Sequence, residues 1–182
     1  DHWFERNSMG RQYWTGIAMS YNGQYQTAVT NGERIYTSTD YGESWTASAS
    51  NSCQGSCYRN WKGIAMSKSS DPNIDGKYQT AVVAGGSIYL SSNRGVSWSP
   101  VAGTDRIWWS GVAMSDNGKY QTATVHDNNP IPNKGIYTSS NFGATWIARG
   151  ENLDYRVIAM STDGQRQTAG ACQSAFDGPR AR

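Results

Sequence analysis

The chain has 182 residues, 37% of them hydrophobic and only 16% charged, with a formal net charge of +2. That length suits one domain with a sizeable core. The near-neutral charge, with no basic run beyond the short tail at 180–182, excludes nucleic-acid binding driven by phosphate neutralisation. No run of about 18 apolar residues is present, so no membrane span is expected.

Gly 20, Trp 8 and Tyr 11 describe an all-β protein of short strands and many turns, in which aromatics supply much of the burial. The first ten residues, DHWFERNSMG, read as the outer end of a repeat, because Trp3-Phe4 stands where Trp45-Thr46, Trp98-Ser99 and Trp146-Ile147 stand later. No leader is visible in this opening, which fits a mature product as well as a cytosolic one. The organising stretch follows at 14–28, WTGIAMSYNGQYQTA. It returns at 61–81, at 109–123 and, as YRVIAMSTDGQRQTA, at 155–169. The shared methionines Met19, Met66, Met114 and Met160 recur at steps of 47, 48 and 46 residues. A fixed period of roughly 20–50 residues marks solenoids, propellers or arrays. Asn22-Gly23, Asp75-Gly76, Asn117-Gly118 and Asp163-Gly164 lie between two apolar runs in each copy. Such dipeptides predict hairpins with type I′ turns.

After each hairpin a third strand is expected, at 34–37, 87–90 and 135–138. The segments Ser38-x-Asp40-x-Gly42-x-Ser44-Trp45, Ser91-x-Asn93-x-Gly95-x-Ser97-Trp98 and Ser139-x-Asn141-x-Gly143-x-Thr145-Trp146 come next. Their chemistry is that of a structured turn. The Asp or Asn accepts backbone amides, Gly takes the positive-φ corner and Trp plugs the turn against the sheet. These segments resemble the Asp-box, or bacterial-neuraminidase repeat, of sialidase-like β-propellers. The resemblance implies a blade of four antiparallel strands, with Ser38, Asp40, Gly42, Trp45 and their counterparts as folding elements away from the ligand face. It departs from the family at Asn93 and Asn141, which keep a side-chain acceptor.

The repeats divide the single domain 1–182 at about 11–57, 58–104, 105–152 and 153–182 plus 1–10. The fourth repeat has no box, and the two termini together make up about one blade's missing part. The reading favoured here is a closed four-bladed propeller whose last blade is completed by an N-terminal strand at 3–6. The alternative is an arc of a larger ring, or a ring closed by association of subunits.

Binding is expected on the rim opposite the hairpins, where the longest and most variable loops fall. Trp14, Trp61, Trp109 and Tyr155 stand in register at that rim, with Trp108 one place earlier. Arg59, Asn60, Asp105, Arg106 and Arg156 lie beside them. Flat aromatic faces among hydrogen-bonding groups suit a sugar, whereas an aromatic repeating at one register also suits a wedge between blades. Trp108, which breaks the pattern, is the better candidate for a ligand contact. The insertion at 68–74 reads as a surface loop, and 126–130 (HDNNP) as a loop before a cation site. Cys53 and Cys57 flank a Gly/Ser-rich loop and are either a local disulfide, which would place the protein outside the cell, or free thiols; Cys172 stands apart. With only His2 and His126, no metal is expected, and no cofactor.

These readings lead to a non-catalytic binding module, lectin-like towards glycans, with a protein-binding scaffold or assembly subunit as the alternative. Oligomerisation is compatible with either. A sialidase-like glycosidase would need three convergent arginines and a Tyr–Glu pair. Glu151 is the only glutamate in the rim loops, so no catalytic residue is assigned.

Overall fold

The computed structural model describes residues 10–48, 59–126, 135–149 and 153–172, and every regular element among them is a strand. The first blade holds β1 (Trp14–Met19), β2 (Gln26–Glu33), β3 (Ile35–Ser38) and β4 (Thr46–Ala47). The second holds β5 (Arg59–Met66), β6 (Gln79–Gly86), β7 (Ile88–Ser91) and β8 (Ser99–Pro100). The third holds β9 (Ile107–Met114), β10 (Gln121–Val125), β11 (Ile136–Ser139) and β12 (Ile147–Arg149). Within the described residues the fourth has only β13 (Asp154–Met160) and β14 (Gln167–Cys172). Each blade is an antiparallel meander, and the ends of β2 and β6 also pair with the starts of β5 and β9 of the following blade.

Blades stack through a code that repeats with the sequence. Val29 and Ile35 of one blade meet Trp61, Ile64, Ala81, Tyr89 and Trp98 of the next. Val82 and Ile88 meet Trp109, Val112, Ala123 and Tyr137 in the same way. The inner-strand Trp sits edge-on to the Tyr of its own third strand, at 5.2 Å for Trp61–Tyr89 and 4.9 Å for Trp109–Tyr137. A repeated threonine–glutamine pair satisfies the polar groups at the centre of these seams, as burial demands. Thr27 Oγ1 donates to Gln79 Oε1 (2.8 Å), Thr80 to Gln121 (2.7 Å) and Thr122 to Gln167 (2.5 Å). The amides of Gln79 and Gln121 in turn donate to the hairpin carbonyls of Gly76 and Gly118. Each glutamine therefore ties its own turn to the preceding blade.

The turns differ from the expectation in one instructive way. The Asn-Gly and Asp-Gly hairpins are not type I′, because only their glycines take positive φ. Gly23 N donates to Ser20 O, Ser20 Oγ to Asn22 Oδ1, and Tyr25 N to Ser20 Oγ. The serine that ends each inner strand holds the turn, so Asn22 need not enter the left-handed region. The type I′ geometry sits in the boxes instead. Tyr41 and Gly42, Arg94 and Gly95, and Phe142 and Gly143 are consecutive positive-φ pairs. They are closed by Glu43 N→Asp40 O, Val96 N→Asn93 O and Ala144 N→Asn141 O. The box Trp donates Nε1 to the box glycine carbonyl in all three.

The insertion at 68–74 is largely exposed, as expected of a surface loop. It leads into the buried Asp75, whose carboxylate accepts from Tyr21 N (2.7 Å) and Asn22 N (3.4 Å) of the preceding blade. A closed four-bladed ring, in contrast to the expectation, does not exist among the described residues. Inner strands pack in the order β1, β5, β9, β13, and no comparable packing brings β13 back to β1. Ile17 of β1 is 62% exposed and Val157 of β13 64% exposed, so both end faces are open. The proposed strand at 3–6, Cys53 and Cys57 lie outside the described residues; Cys172 is a free, exposed thiol.

Two predictions follow from the seams and boxes. Gly23 and Gly118 have the same left-handed φ, but a Cβ at Gly23 meets nothing within 4 Å, whereas one at Gly118 would stand 2.8 Å from Tyr78 Cβ. Urea unfolding should show Gly23→Ala costing about 1–2 kcal/mol, the left-handed penalty alone, and Gly118→Ala costing roughly 1–3 kcal/mol more for overpacking. In the first box, hydrogen bonds from the Ser44 hydroxyl, the Ser44 amide and Ser38 hold the Asp40 carboxyl at about 2, below its ordinary 3.8. A depressed carboxylate stabilises the fold above its unfolded value and loses that contribution as pH falls towards the folded one. The second and third boxes use asparagine, whose Nδ2 donates to Ser97 Oγ and Thr145 Oγ1 where Asp40 accepts from Ser44. Asp40→Asn should therefore fold, and any Tm advantage of the parent over it at pH 5 should shrink between pH 4 and pH 2.

Candidate functional site

Every inner strand carries a β-bulge immediately after its register aromatic. Pairing jumps between Trp14 and Gly16, Trp61 and Gly63, Trp109 and Gly111, and Tyr155 and Val157. The skipped residues are Thr15, Lys62, Ser110 and Arg156. A bulge leaves one residue outside the ladder and re-aims its side chain. At the first and third junctions that side chain also ties blades together, Thr15 Oγ1 donating to Trp61 O (2.9 Å) as Ser110 Oγ does to Tyr155 O. Lys62, Ser110 and Arg156 converge on one cavity of about 280 Å³, lined also by Ala84, Trp108, Trp109 and His126.

The cavity has an aromatic side and a cationic side. Trp108 is 37% exposed and lies over the backbone of Gly85, where a Cβ would stand 3.7 Å from its ring. The buried carboxylate of Asp154 accepts from Arg156 Nε (2.9 Å) and Nη2 (2.6 Å). His126 Nδ1 lies 3.9 Å from the other carboxylate oxygen. Asp154 thus fixes the guanidinium while Lys62 adds a second cation. Ser110 Oγ donates to Tyr155 O (2.6 Å) and joins the third blade to the fourth at the cavity wall. Among the described residues no group of three His, Cys, Asp or Glu could hold a metal ion.

The residues expected from sequence divide. Trp108, Trp109 and Arg156 line the cavity. Trp61 (3% exposed) and Trp109 (0%) are packed as wedges between blades, and Tyr155 is buried. Trp14 is exposed at the open end of the arc, edge-on to Tyr36. Arg59 stacks over Tyr89 at 4.8 Å, and Asn60 pairs through its backbone with Asn31. Asp105 and Arg106 are exposed beside one another and do not line the cavity. Sequence reasoning passed over Lys62 and Ser110 and read His126 as part of a loop. The signal was there: one column varies as Thr15, Lys62, Ser110 and Arg156 inside an otherwise repetitive inner strand.

No protein-family model matches the chain, and no curated protein does. Solved structures do. The chain is similar to YCF48 bound to D1 peptide (14% identity, TM-score 0.60, covering 84% of this chain and 46% of that one). It is also similar to the GH74 enzyme of Niastella koreensis (17%, 0.63, covering 85% and 24%) and to the RRP9 WD40 repeats (12%, 0.63, covering 88% and 46%). The likeness is one of fold and defines the class, a β-propeller. The chain spans about half the length of the first of these, or less for the enzyme.

The two adjacent tryptophans separate wedge from contact. Trp109→Ala should lower unfolding free energy by about 3–5 kcal/mol, as large-to-small changes in a core do. Trp108→Ala, exposed and outside the seam, should cost about 1 kcal/mol or less by the same denaturant measurement.

Proposed function

We propose that this chain is a non-catalytic binding module of the Asp-box propeller type, whose cavity between Trp108 and Arg156 takes an acidic, extended segment of another protein. The observation that carries this reading is the convergence of three successive bulge residues, Lys62, Ser110 and Arg156, on one cavity beside a half-exposed tryptophan. Guanidinium and ammonium groups favour a carboxylate, and the tryptophan face favours an apolar or aromatic neighbour of it. A backbone-bearing ligand also suits a rim built from strand ends. YCF48, similar in fold, is known bound to a peptide, which supports the reading by analogy.

Glycan recognition is the second reading. Its support is the exposed face of Trp108, since Trp61, Trp109 and Tyr155 are buried. A glycosidase clamp draws no support from the four rim arginines. Arg59 lies over Tyr89, Arg106 stands in solvent, and Arg149 and Arg156 line different cavities.

Selection from a random-peptide display library, followed by calorimetry, tests the proposal. Enriched peptides should carry Asp, Glu or a free C-terminal carboxylate, and should bind more weakly as salt rises. Lys62→Ala and Arg156→Ala should each weaken binding about tenfold, and Trp108→Ala should reduce it further. Binders indifferent to all three substitutions would refute the site. Glycan-array binding lost on Trp108→Ala, with no peptide enriched, would install the lectin reading instead.

A further inference from the structure

The inter-blade code runs out at both ends of the arc, and the two ends complement each other. At the exposed face of the first blade, Trp14, Ile17, Ala28 and Trp45 line an apolar hollow of about 330 Å³. The equivalent positions of the next two blades, Trp61, Ile64, Ala81 and Trp98, then Trp109, Val112 and Ala123, are buried by the blade before them. Gln26 keeps the amide bond to Gly23 O that marks every hairpin, but its Oε1 accepts from no threonine among the described residues. At the other end Thr168, the next donor in the series Thr27, Thr80, Thr122, is exposed. In the closed junctions a tyrosine covers the hairpin glycine ahead, Tyr25 on Gly76, Tyr78 on Gly118 and Tyr120 on Gly164, and among the described residues none covers Gly23.

The most discriminating pair is aromatic and cationic. Box residue Arg94 stacks over Tyr25 at 4.7 Å, and box residue Phe142 lies 4.7 Å from Tyr78. At the open ends the two partners are Tyr41, exposed in the first box, and Arg166, which replaces the tyrosine in the fourth hairpin. The tyrosine and the arginine have exchanged sides, and the cation–π complementarity is retained.

We propose that the first-blade face receives the fourth-blade face of a second copy of this chain, and that two copies related by a two-fold axis close one ring head to tail. Each closure seam would add Thr168 to Gln26, Arg166 over Tyr41, and cover for Ile17. A head-to-tail contact that closes at two stops there and does not grow into a filament.

Sedimentation analysis of the 182-residue chain from micromolar to millimolar concentration reads the outcome. The expected species has twice the 20.0 kDa chain mass. Ile17→Asp, at a site exposed in the single chain, should return the 20.0 kDa species with an unchanged far-ultraviolet circular dichroism spectrum. Tyr41→Arg should weaken association about tenfold or more, and adding Arg166→Tyr should restore it. A 20.0 kDa species at every concentration, which includes a chain closing on itself, overturns the proposal. So does a dimer indifferent to Ile17→Asp and to the Tyr41/Arg166 exchange.

Discussion

The distance between blades is set by the absence of a Cβ at the middle of the first three inner strands. A Cβ at Gly63 would stand 3.4 Å from the Cα of Gly111, and one at Gly16 would stand 3.6 Å from the Cα of Gly63. That close approach lets Val29 and Val82, cross-strand from those glycines, reach into the next blade. The fourth blade reverses the pair. Val157 stands where the glycines stood, and Gly170 lies opposite it where the valines stood. Val157 Cγ2 occupies the space a Cβ on Gly170 would need, at 2.8 Å. Volume is conserved while the branched side chain moves from one strand to its neighbour, as close packing requires.

Around that constraint the chain places its costs and their compensation together. A non-glycine residue in the left-handed region is strained by about 1–2 kcal/mol, and each box carries one at Tyr41, Arg94 and Phe142. Two of them are the side chains that stack on the preceding blade. The strained corner is thus also the contact that joins blades. The bulges have the same double character. Where the released side chain is Thr15 it bonds the next strand, and where it is lysine or arginine it opens into the cavity beside Trp108.

Most of the architecture was legible because it is written several times. Period, hairpins, boxes and the wedge-or-platform ambiguity of Trp61 and Trp109 all follow from repetition. What the sequence could not disclose were relations between repeats. Asn-Gly reads as type I′ by local preference, yet Ser20 satisfies the turn without moving Asn22 into the left-handed region. The residues lining the cavity are masked in the sequence by the aromatic column that repeats. The useful information lay in the neighbouring column that does not repeat. Closure of the ring was judged from chain length, and length says nothing about whether Ile17 finds a cover.

Asp75 bears on how such a molecule assembles at all. Hairpins this alike offer many wrong partners of nearly equal quality, the usual route by which repetitive chains shuffle or exchange segments while folding. The carboxylate that seizes Tyr21 N and Asn22 N exists in one blade only, because only that hairpin is long enough to project it backwards. It works as a key cut for a single lock, giving the order of blades one and two an identity that their shared strands do not provide.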